Sequence, residues 1–177
     1  MKKRISLISL IVIIFLILFL SSEFSYYYST PEEALKNERS DSINIYIKKV
    51  ITQIDIGSNK VIFYINQDNN LNNAEFIKRR MFGKIGYKVT TFGTMYLEDN
   101  SINAEITNPA DQVIILDRSN PLNNVLYGFS KHEEISFMRV NGNKPTLVPF
   151  EVNDMKFTLF YLVGPYDISD LTFTQVK

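Results

Sequence analysis

The chain has no cysteine, a single histidine (His132) and only seven glycines in 177 residues. Without cysteine there are no disulfides, no thiol catalysis and no thiolate metal ligands. A lipid anchor added after signal cleavage is excluded for the same reason. One histidine with no cysteine cannot supply the three or four nitrogen or sulfur ligands of most zinc sites. No Gly-x-Ser-x-Gly elbow is present to activate a serine beside that histidine. His132 lies in Ser130-Lys131-His132-Glu133-Glu134, a charged stretch without apolar periodicity that reads as an exposed loop. The paired glycines of Gly83-Lys84-Ile85-Gly86 are turn residues in a hairpin, not a phosphate loop. Positive charge is not in excess either: 19 basic residues face 19 acidic ones. The first four residues hold three of the basic ones, so the remainder carries a net charge of −3. That leaves no electrostatic footprint for nucleic acid. No cofactor is implied and no metal site is expected.

What the chain does have is a long apolar run at its start. Lys2, Lys3 and Arg4 precede 16 residues, Ile5 to Leu20, interrupted only by Ser6 and Ser9. At ~1.5 Å per residue the run covers about 24 Å of a ~30 Å hydrocarbon core. Ser21 to Phe24 close the difference, and Tyr26, Tyr27 and Tyr28 follow as an interfacial aromatic cluster. The basic flank keeps the N-terminus on the cytoplasmic side. Residues 1–24 thus read as a single-pass transmembrane anchor, in contact with the membrane through residues 5–24. The alternative is a signal peptide cleaved to release a secreted protein. It meets an apolar run longer than the usual one, and a cleavage site after Ser22 that places Leu20 at the −3 position.

Residues 25–42 read as a juxtamembrane linker with one short helix. Thr30 and Glu33 form a capping box, Pro31 occupies the first helical position, and Glu32 and Glu33 complement the helix dipole. The helix is expected over Pro31 to Arg39, as a spacer or lid.

From Ile43 the apolar period becomes two. Ile43, Ile45 and Ile47 alternate, and Val50, Ile54 and Ile56 continue in the opposite phase, which requires a bulge or bend near Lys48-Lys49. Gly57 to Lys60 is a turn. Val61 to Ile65 is apolar on both faces and reads as a central strand. The asparagine-rich stretch Asn66 to Asn73 reads as a loop. It shares a spacing with calcium loops at Asp68, Asn70 and Asn72, but Asn73 and Arg79 stand where glycine and glutamate are needed. The chain's 17 asparagines are attributed to turn chemistry.

Strands are expected at Ala74–Phe82, Tyr87–Phe92, Met95–Glu98, Ile102–Ile106, Val113–Leu116, Val125–Phe129, Ile135–Val140, Thr146–Phe150, Met155–Val163 and Leu171–Val176. Asn141-Gly142 is the best two-residue hairpin signal. Pro145 and Pro149 place the strand after it at a sheet edge. The fold class is therefore mostly β. After the transmembrane helix and the short capped helix, residues 43–177 form one extracytoplasmic β-sandwich or partly open barrel of about ten short strands.

Several features together resemble a group of small membrane-anchored extracytoplasmic proteins of low-GC Gram-positive bacteria. They are the basic-apolar N-terminus, the Thr-Pro-Glu-Glu-Ala-Leu helix start at Thr30 to Leu35, the Gly86-Tyr87-Lys88 step and the Tyr127-Gly128-Phe129 segment. Tyr87 stands where that group is expected to carry tryptophan. The resemblance implies a location and a compact exported domain, and no activity.

The most uneven charge patch is Lys78, Arg79, Arg80, Lys84 and Lys88, interleaved with Phe76, Phe82 and Tyr87. Lys78, Arg80, Lys84, Lys88 and Tyr87 are the candidate binding residues. Their partner would be an anionic envelope polymer, a lipid headgroup or an acidic protein. Alternation puts Lys78 and Arg80 on one face and Arg79 on the other. The same charges also suit a solvated strand face protected against aggregation. The favoured function is a non-enzymatic, membrane-tethered binding or accessory domain. The alternative is an exported hydrolase with a carboxylate pair assembled in space, its local candidates being Glu133-Glu134, Glu98-Asp99, and Asp167 with Asp170.

Overall fold

A computed structural model describes residues 9–19, 27–37, 46–81, 83–95, 97, 113–115, 124–130, 138–165 and 173–175. They form ten strands behind two short helices, α1 (residues 9–19) and α2 (Pro31–Asn37).

The first sheet is an antiparallel meander of β1 (Ile47–Ile56), β2 (Asn59–Asn66), β3 (Leu71–Met81) and β4 (Lys84–Met95), in that spatial order. β1 follows the sequence pattern closely. Its ladder with β2 slips between Ile47 and Lys49, and again between Val50 and Thr52. Those slips rotate the strand: Ile47 and Val50 pack on one face of the sheet, while Ile51, Ile54 and Ile56 pack on the other. Gly57 turns the chain with φ +57°, a conformation that suits a residue without Cβ. β2, apolar on both faces, is an interior strand as its composition requires.

The second sheet contains β5 (Val113–Ile115), β6 (Asn124–Ser130), β8 (Thr146–Val152) and β9 (Met155–Val163), in the antiparallel order β5-β6-β9-β8. β8 carries Pro149 and lies at the edge, where a missing N–H breaks no ladder. β7 (Met138–Val140) and β10 (Phe173–Gln175) form a separate two-stranded ribbon. Among the described residues no strand pair joins the two large sheets. They are two layers, held by one apolar cluster. Val61, Phe63, Ile65 and Leu71 of the first sheet meet Val125, Tyr127, Phe150, Phe157 and Leu159 of the second. Each such fully buried side chain contributes about 1.5–3 kcal/mol relative to exposure.

A second cluster covers the opposite face of the first sheet. Ile62, Tyr64, Ala74, Phe76 and Val89 pack under Ala34 and Leu35 of α2, both 1% exposed. The helix expected as a spacer or lid is thus a layer of the fold. Thr30 caps the helix as expected: the Glu33 N–H donates to Thr30 Oγ1 at 3.1 Å. The return bond of a capping box, from the Thr30 N–H to the Glu33 side chain, is replaced by one from the Ser29 hydroxyl.

Three local expectations are corrected. The loop Asn66–Asn73 is confined to residues 67–70, because Asn72 and Asn73 belong to β3 and are buried. Asn66 closes that turn by accepting the Asn70 N–H at 2.9 Å. Gly86 belongs to β4, paired with Arg79, so the turn before it is shorter than four residues. Asn141-Gly142 does turn, with both φ values positive, at +48° and +75°. The hairpin stops after the Val140–Asn143 pair. Pro145 follows, β7 pairs with β10, and β8 pairs with β9 instead. The turn that joins a full hairpin is Asn153-Asp154, again with two positive φ values.

Among the described residues no helix is long and apolar enough to cross a membrane. α1 is 48–73% exposed at every large side chain from Leu10 to Phe19. A shallow hollow of about 290 Å³ along its flank is lined by Ile11, Val12, Phe15, Leu16 and Phe19 and lies outside the β domain. The rest of the Ile5–Leu20 run falls outside the described residues.

Candidate functional site

The basic stretch forms the β3–β4 hairpin, paired from Leu71–Met95 to Met81–Lys84. β2 accompanies β3 only as far as the Asn59–Ile77 pair, and the Lys78 N–H then donates to the Ser58 carbonyl at 2.7 Å. Beyond that point the hairpin continues as a two-stranded ribbon that turns at Gly83, φ +79°. From Phe76 to Leu97 the sequence contains five cations and no acid.

The ladder settles which residues share a face. Lys78 pairs with Tyr87 and Arg80 with Ile85, so these four share the side of Phe76 and Val89. Arg79 pairs with Gly86, Met81 with Lys84 and Ile77 with Lys88, so Arg79, Lys84 and Lys88 share the other side. The five sequence-nominated residues therefore sit on two faces of one ribbon.

They also differ in what they touch. Lys78 Nζ donates to Asp55 Oδ1 at 2.6 Å, and Lys60 Nζ lies 3.3 Å from the other carboxylate oxygen. The Lys78 hydrogen bond, against some burial and helped by Lys60, holds the Asp55 carboxyl below its ordinary range. Asp55 is 55% exposed, so this pair contributes little to stability; its effect is to answer the Lys78 charge locally. Tyr87 is half-buried against the α2 cluster. Arg80, Lys84 and Lys88 are exposed, as is Arg79.

The outer edge of β4 holds a partner that the sequence did not signal. Tyr28 and Tyr87 exchange two backbone hydrogen bonds of 2.8 Å. Next to this bridge the Arg79 guanidinium lies 5.5 Å from the centre of the Tyr27 ring, a cation–π contact. The chain that leaves the apolar N-terminal stretch is thereby stitched to the basic ribbon. One bridge of two residues has no periodicity to reveal it, and the cluster Tyr26–Tyr28 reads from sequence as interfacial aromatics, not as a strand partner.

A second polar group lies between the sheets. The Asn73 carboxamide donates to the Tyr127 hydroxyl at 2.8 Å, and Tyr127 packs its ring on Phe63 with centroids 4.9 Å apart. Gly93 makes room for this pair: a Cβ there would stand 3.1 Å from Asn73 Nδ2. Glu75, two residues along the same face of β3, is 5% exposed, and burial pushes its carboxyl up. Opposite it the β4 ladder slips, leaving Thr90 as the extra residue, whose hydroxyl donates to the Glu75 carbonyl at 3.2 Å. On the other face Asn72 is 1% exposed and lies across the ladder from Tyr64, whose hydroxyl it approaches.

Among the described residues no group of three or more acidic or histidine side chains could hold a metal ion. His132 and the acid pairs Glu133-Glu134, Glu98-Asp99 and Asp167 with Asp170 lie outside the described residues. What the described surface offers is clustered positive charge on a narrow ribbon. Charge of one sign gathered in this way raises the local potential for anions. No protein-family model, no curated protein and no solved structure matches this chain.

Proposed function

We propose that the protein is a membrane-tethered extracytoplasmic binding or accessory domain without enzymatic activity, which uses the basic β3–β4 ribbon to engage an anionic partner. The apolar run Ile5–Leu20 behind Lys2, Lys3 and Arg4 is the tether, with the N-terminus inside and the domain outside. The observation that carries the reading is the Tyr28–Tyr87 bridge, which joins the chain emerging from that run directly to the ribbon. A tether that ended on a neutral or acidic surface would give the ribbon no reason to face the envelope. The exposure of α1 on all sides fits a segment whose solvent is not water. The resemblance to small anchored extracytoplasmic proteins supports the same location. The hydrolase alternative has no observation among the described residues in its favour.

A photoreactive group at Lys84 tests this in membranes that carry the full chain. The proposal expects adducts with an acidic envelope component at Lys84, suppressed in 1 M salt, and none at Lys156 on the other sheet. A chain recovered in the soluble fraction, or equal labelling at both positions, contradicts it.

A further inference from the structure

We infer that the tip of the β3–β4 ribbon docks on the anionic headgroup surface of the same bilayer that holds the N-terminal segment. This rests on the tethered reading and names the partner of its ribbon. The first support is reach. Eight steps separate Phe19 from Tyr27, at most about 28 Å of extended chain, and Tyr28 is bonded to Tyr87. Tyr87 is three residues from Lys84 at the turn, about 10 Å along the strand. The ribbon tip therefore cannot stray far from the point where the chain leaves the bilayer.

The second support is charge. Lys78 is answered by Asp55, whereas Arg79, Arg80 and Lys84 are exposed around the turn on both faces. Basic residues held close to a membrane attract its anionic lipids, each strengthening association about fivefold. The third support is Ile85, which is 51% exposed between Lys84 and Gly86. An apolar side chain beside cations fits the boundary of headgroups and acyl chains. It gains nothing from a hydrated polyanion, which is the argument for lipid over cell-wall polymer. Tyr27 beside Arg79 adds an aromatic ring of the kind that settles at this boundary.

Because the chain has no cysteine, an Ile85→Cys variant carries a unique thiol for an environment-sensitive fluorophore. The full chain is inserted into vesicles of zwitterionic lipid, or of the same lipid mixed with an anionic phosphatidylglycerol. A Lys156→Cys variant labelled in the same way serves as reference. The inference expects a blue shift and protection from aqueous quencher at position 85 only in the anionic vesicles. Protection should fade in 1 M salt, where the screening length is about 3 Å. It should weaken about fivefold for each of Arg79→Gln, Arg80→Gln and Lys84→Gln. A label at 85 that is quenched equally in both vesicle types overturns the inference and leaves the tether standing. So does protection that appears only when a soluble glycerol-phosphate polymer is added. Equal protection at position 156 means general burial of the domain and also overturns it. A chain that washes off the vesicles removes the tether and the docking together.

Discussion

Glu75 is the residue whose placement has the clearest thermodynamic consequence. It lies on the face of β3 that meets the second sheet, and burial raises its carboxyl above the ordinary value of 4.5, with the Thr90 hydroxyl acting in the opposite direction. The folded state therefore binds this proton more tightly than the unfolded chain does. Stability is greatest below about pH 4.5 as far as this group is concerned, and falls as pH rises through the folded value. Glu75→Gln should melt at a higher temperature than the parent at pH 7 and at the same temperature at pH 4, measured by circular dichroism. A lower melting temperature at pH 7 would show that the carboxylate has a stabilising partner. Tyr127 obeys the same sign at the other end of the scale. Burial, eased by the Asn73 bond, pushes its hydroxyl up to about 12, so stability should fall between about pH 10 and 12. Tyr127→Phe removes the acceptor and leaves the Asn73 amide unpaired between the sheets, at a cost of about 1–3 kcal/mol in urea unfolding. A neutral effect would mean that water replaces the hydroxyl.

At the scale of elements, α2 is short enough that its stability comes from packing rather than from propensity. Leu35→Ala should cost about 2–5 kcal/mol, because Leu35 is 1% exposed over Ile62, Tyr64 and Phe76. A loss below 1 kcal/mol, measured by urea unfolding, would show that the helix is loosely laid on the sheet. The elements also show what a sequence displays and what it conceals. The Thr30 N-cap, the two-faced apolar run of β2, the bulge in β1 and the edge position of β8 are local signals, and each is realised where the pattern placed it. Asn72 and Asn73 read as loop residues because asparagine favours turns. The partner that makes burial of Asn73 tolerable is Tyr127, 54 positions away, and no local pattern announces it. Asn141-Gly142 specifies a turn but not which strand follows it into a sheet. The basic hairpin was legible as a charge cluster. Alternation alone separates Lys78 and Arg80 from Arg79; which side Lys84, Tyr87 and Lys88 join needed the register, and the loss of Lys78 to Asp55 needed a pairing 23 positions apart.

Taken as a whole, the molecule is a layered β domain, with α2 and a second sheet on opposite faces of a central sheet. Its N-terminal chain is fastened beside a cationic ribbon. Covering both faces of the central sheet leaves its edges and hairpin ends as the places where a partner can be met. Tethering requires the apolar run to remain attached. The direct measurement is the intact mass of the mature chain in alkaline-washed membranes, combined with protease added from outside. A tethered protein gives a membrane-bound chain that still contains Met1 to Leu20, with the domain after Thr30 reached by the protease. A soluble product beginning near Glu23 would contradict tethering.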